Sequence, residues 1–89
     1  MTLKEIQERN YKATVKRKLI TGRTDSSDFI KKIYEELTEL DEVCTMNQIN
    51  DPSELADIII TCLCMAYHFN VDIDEELKQK TLYNEKRND

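Results

Sequence analysis

Eighty-nine residues, 39% hydrophobic and 35% charged, suffice for one domain, residues 1–89, but supply little for a core of its own. The net charge of -5 would repel a phosphate backbone, and no basic patch with interleaved aromatics occurs, which argues against a nucleic-acid partner. One Gly and one Pro beside abundant Glu and Lys favour long helices over tight turns, so we expect an all-α chain of four helices whose core is completed by homo-oligomerisation.

The first helix is expected from Thr2 to Ile20, with Leu3, Ile6, Asn10, Ala13, Arg17 and Ile20 on one stripe. Its basic run "VKRK" reads as a solvated face. "TGRTDSSD" then supplies a loop and capping residues for a second helix, Ser27 to Met46, with Ile30, Ile33, Leu37, Leu40 and Cys44 at core spacing. After the loop "NQIND", Asp51 is the candidate N-cap of a third helix running to Phe69, with Pro52 in its first turn. This helix is apolar around most of its circumference, from Leu55 to Ala66, and is expected to be covered on several sides. Asn70 offers a C-cap, and Asp72 or Asp74 an N-cap, for a fourth helix ending near Arg87. "MTLKEIQERN" has no apolar signal core and the apolar run Ile58–Ala66 is too short to span a bilayer, so the expected setting is cytoplasmic, with no membrane partner. Cys44, Cys62 and Cys64 fit a reducing compartment and read as buried apolar fillers.

Four carboxylates depart from this pattern. Glu36 and Glu39 are three apart on the second helix, and Glu54 and Asp57 three apart on the third, so each pair shares a face. At about 100° per residue, Glu35 and Glu42 fall nearly opposite the apolar stripe and should be solvated, whereas Glu36 falls on its shoulder with Glu39 beside it. On the third helix, Glu54, Asp57, Thr61 and His68 form the one polar stripe. An acid there needs a partner, because an unpaired buried carboxylate is very costly. Two facing pairs repel unless something positive lies between them, and hard oxygen donors without Cys or His select Mg²⁺ or Mn²⁺. Plainer roles remain open: a capping box from Asp51 to Glu54, a solvated acidic face in "EELTELDE", or an ion pair between Asp57 and a base on the first or fourth helix. His68, about 21 Å along the helix from Glu54, reads as a packing or surface residue.

These motifs resemble the MazG-like all-α nucleoside-triphosphate pyrophosphatases. Their signature, EExxE followed by ExxD, is matched by "EELTE", Glu35 to Glu39, and "ELAD", Glu54 to Asp57. "KTLYNEKR" is similar to the Lys, Asn and Arg set with which that family holds substrate phosphates, here Lys80, Asn84 and Arg87. The chain has no Trp where the family commonly places one near the base, leaving Tyr11, Asn10 and Gln7 as candidates. The resemblance implies Mg²⁺-dependent (or Mn²⁺-dependent) hydrolysis between the α- and β-phosphates of a nucleoside triphosphate, with Glu36, Glu39, Glu54 and Asp57 as metal ligands and catalytic residues, in a homodimer or homotetramer. The alternatives are a non-catalytic helical adaptor or regulator, and a phosphoribosyl-ATP pyrophosphatase-like enzyme. The glycine that typically precedes the acidic pair in the latter is Tyr34 here.

Overall fold

Helices begin in this chain where a side-chain oxygen is on hand for the first free amides. In the computed structural model, which describes residues 1–88, α1 spans Leu3–Lys16, α2 Ser26–Glu42, α3 Ser53–His68 and α4 Ile73–Lys86. Thr2 and Glu5 form a reciprocal capping box at the head of α1, as do Asp25 and Asp28 at α2. Asp72 accepts from the Glu75 amide and so is the N-cap of α4. At α3 the cap position is Pro52, not Asp51, but the Asp51 carboxylate still accepts from the amide and hydroxyl of Ser53.

The ends differ from the expected ones. α1 stops at Lys16 rather than Ile20, because Lys18 adopts a left-handed conformation with φ 62. Leu19 N–H then donates to Thr14 C=O and Lys18 N–H to Val15 C=O, the paired bonds of a Schellman motif. This break returns Ile20 to the core. α3 ends the same way around Asn70, φ 58, with Val71 N–H on Ala66 C=O and Asn70 N–H on Tyr67 C=O. α2 ends at Glu42 rather than Met46, where Cys44 and Ile49 form a small antiparallel bridge that closes the loop.

α3 is the central element, packed against α1 and α2. The core is small: Ile20, Phe29 and Cys64 cluster together, flanked by Tyr11, Ile60 and Met65, with Leu63 and Ala66 also buried. The expected α2 stripe is therefore corrected. Ile30, Leu37 and Cys44 are exposed, and the side turned inward carries Phe29 and Glu36. Of the cysteines only Cys64 is a buried filler, and Cys44 and Cys62 are exposed free thiols. Nor is α3 covered on several sides within one chain, since Leu55, Ile59 and Cys62 face solvent. α4 follows α3 after a bend of 116° and buries none of its described residues. Among the described residues no single helix is long and apolar enough to cross a membrane.

Candidate metal centre and adjoining cleft

The acidic pairs meet because of register. In an antiparallel helix hairpin, residues equally distant from the loop centre lie opposite each other. Glu36 and Asp57, like Glu39 and Glu54, are centred between Met46 and Asn47, and the same midpoint relates Phe29 to Cys64, which are in the core cluster. One carboxylate oxygen from each of Glu36, Glu39, Glu54 and Asp57 lies within 4.8 Å of the other three.

The four are not alike. Glu36 is 6% exposed, Glu54 is half-buried, and Glu39 and Asp57 are exposed. The buried carboxylate is thus Glu36 rather than Asp57, which sits at the mouth. Glu54 does not form the capping box with Asp51. Its Oε2 is sealed from solvent and has no hydrogen-bond partner. Burial first, then the charges of Glu39, Asp57 and Asp51, push the Glu54 carboxyl above its ordinary range. Glu36 is raised as well, by burial and then by Glu39 and Asp57, against the opposing pull of Lys32. Lys32 Nζ lies 3.3 Å from Glu36 Oε1 and 3.8 Å from exposed Glu35. Burial works to lower the Lys32 pKa, but Glu36, Glu35 and Glu39 outweigh it and hold the ammonium above its usual value. No ion pair among the described residues joins Asp57 to α1 or α4. Four convergent carboxylates, one of which (Glu54) carries a sealed and unpartnered oxygen, fit a divalent cation of the Mg²⁺ or Mn²⁺ type.

A cleft of about 560 Å³ opens beside the cluster. Glu36 and Asp57 stand at its acidic end, Phe29, Ile60 and Cys64 make an apolar wall, and Lys31, Lys32 and Arg17 contribute positive charge. Sequence reading gave none of these three cations a place at the site; Arg17, read both on the first helix's stripe and in the solvated run VKRK, is exposed and lines the cleft. The available signal was position: Lys32 is one turn before Glu36 on the side facing α3.

The other sequence candidates separate. Asn10 lines the cleft. Gln7 is buried and donates to the Leu63 carbonyl, so its amide is committed to joining α1 to α3. Tyr11 packs on Tyr67 and bonds His68 Nδ1, while His68 Nε2 meets the Thr24 carbonyl. His68 is a packing histidine that ties α3 to α1 and to the loop before α2. Lys80, Asn84 and Arg87 gather around Tyr83 on α4, with Lys80 Nζ 5.3 Å and Arg87 Cζ 5.9 Å from its ring and Arg87 bonded to Asn84. None of the three lines the cleft. Compared with models of known families, with curated proteins and with solved structures, the chain matches none.

Proposed function

We propose that this chain is a divalent-metal-dependent nucleoside-triphosphate pyrophosphohydrolase of the MazG-like kind, yielding a nucleoside monophosphate and pyrophosphate. The observation that carries the proposal is the convergence of Glu36, Glu39, Glu54 and Asp57 within 4.8 Å from two helices, at the end of a cleft with cationic and apolar walls. Divalent cations bound there would supply Lewis acidity at phosphate oxygens and lower the pKa of water.

The chain's own residues divide the remaining work. Along α2, Lys32 is one turn and Phe29 nearly two turns from Glu36, so the cation and the apolar wall lie about 6 and 10 Å along the axis from that carboxylate. That order suits a polyphosphate beside the acids and a base against Phe29 and Ile60, with Asn10, whose Nδ2 donates to the Ile6 carbonyl, offering its Oδ1 as an acceptor. Glu36 and Glu54, held above the ordinary carboxylate range, suit a site that favours incoming positive charge. Lys80, Asn84 and Arg87 are proposed to hold phosphates from a neighbouring copy, since within one chain they lie outside the cleft.

The test is pyrophosphate release from a panel of ordinary and modified nucleoside triphosphates with Mg²⁺ or Mn²⁺, comparing the native chain with Asp57→Ala. Metal-dependent release is expected, with kcat at least about 100-fold lower in the variant. If no nucleotide is hydrolysed and added metal leaves the melting temperature unchanged, the acids are structural and the adaptor reading prevails.

A further inference from the structure

The four carboxylates have one close counter-charge among the described residues, and it is a lysine placed to leave. Lys32 pairs with Glu36, whose side chain is 8% exposed, yet the lysine side chain itself is 51% exposed. The i,i+4 order, Lys before Glu, is the less favourable one on a helix, so helical geometry alone gives little reason for the pair. What holds it is chiefly the buried carboxylate, which has no other ion-pair partner in the described structure, with exposed Glu35 a second, looser partner at 3.8 Å. Lys32 also lines the cleft together with Lys31 and Arg17, opposed there by Asp28 and Glu35.

We propose that Lys32 is an exchangeable counter-cation: a divalent ion entering the carboxylate cluster displaces its ammonium, which then turns along the cleft to bind the substrate's phosphates. The proposal rests on the metal-dependent reading of the site and adds a positioning residue to it. A doubly charged ion near Glu36 repels the ammonium and removes its nearer partner, leaving only the solvent-screened attraction of Glu35. Turning the half-exposed lysine into the cleft requires only rotamer changes of a four-carbon stem. One residue thereby serves two states, neutralising the empty acids and then neutralising phosphate. If Lys32 merely held Glu36 in a productive rotamer, its loss would weaken the metal site. Exchange predicts the opposite sign.

The experiment titrates the 89-residue chain with Mn²⁺ alone, and then titrates the Mn²⁺-loaded protein with inorganic tripolyphosphate, for native protein, Lys32→Gln, Lys32→Met and Lys32→Arg. Methionine keeps an apolar stem in case glutamine fails to fold, and circular dichroism verifies helicity. Both uncharged variants should bind Mn²⁺ about three- to tenfold more tightly, because a competing charge is gone. They should bind tripolyphosphate about tenfold more weakly, while Lys32→Arg stays near the native values in both titrations. Unchanged or weaker Mn²⁺ binding in the uncharged variants, with native protein binding normally, overturns the exchange and leaves the metal-dependent reading standing. Failure of the native chain to bind Mn²⁺ at all overturns both.

Discussion

At the scale of single residues, Glu36 and Glu54 make a pH prediction with a definite sign. Both are held above their ordinary value of 4.5, chiefly by burial and then by neighbouring acids. Between that value and the higher folded one, the native state binds more protons than the unfolded chain. These two groups therefore favour folding below 4.5, and their contribution is lost as pH rises through the folded values. Asp25, lowered first by its Ser27 hydrogen bond, acts oppositely but only at more acidic pH. Metal-free protein should melt at a higher temperature near pH 5 than at pH 7, with the pH 7 deficit reduced in Glu54→Gln. Mg²⁺ should recover more stability at pH 7, by about 2.7 kcal/mol at a hundred times its Kd. Calorimetry at the two pH values, with and without metal, checks the sign; a melting temperature that instead rises from pH 5 to pH 7 would contradict it. The identities of these acids were legible from their i,i+3 spacing, and their meeting follows from equal distances to the loop centre. Their burial order was not legible. The α2 projection took Ile30, Ile33, Leu37, Leu40 and Cys44 to define the inward face with Glu36 on its shoulder; tertiary packing buried Phe29 and Glu36, left Ile33 and Leu40 half-buried and exposed the other three.

At the scale of elements, sequence pattern located all four helices and misplaced mainly their ends. Hydrophobic periodicity continued past Lys16 to Ile20, but Ile20 reaches the Phe29 and Cys64 cluster only if the helix stops and the chain turns back. A lysine pays for that turn, since a non-glycine residue at φ 62 carries a steric cost that glycine avoids. No glycine marked the spot, so the stop was invisible to pattern reading. Lys18→Gly is accordingly expected to stabilise the fold by about 0.5–1 kcal/mol, raising the melting temperature by roughly 2–8 °C. Asn70→Gly should gain less, because asparagine already tolerates the left-handed region. Thermal denaturation of both variants measures the comparison; a loss of stability in Lys18→Gly would mean that its side chain contributes more than its backbone costs.

At the scale of the whole molecule, the surface is too large for the mass. A compact monomer of this size would expose about 5,400 Å² and have a radius of gyration near 12 Å. The chain exposes 7186 Å² and has a radius of 14.8 Å. The surplus of about 1,800 Å² is roughly twice what each partner contributes to a standard interface. It is apolar in the places that matter: Ile30, Tyr34 and Leu37 on α2, Leu55 and Ile59 on α3, and Leu77, Leu82 and Tyr83 on α4 are all exposed. A second copy is the occupant that this arithmetic favours. α4 is acidic over its first turn, while Lys80 and Lys86 against Glu85 leave its second half net basic, with Arg87 just beyond its end, so two copies could pair antiparallel with opposite charges adjacent. Light scattering should therefore give a mass of two or four chains of 10.5 kDa. If Ile59, 52% exposed in the single chain, lies on the face where copies meet, Ile59→Glu should shift that mass toward one chain and lower the melting temperature, because a carboxylate would replace apolar contact there. A native mass of one chain would show that the surplus surface meets only water, and that Lys80, Asn84 and Arg87 have no neighbouring cleft to serve.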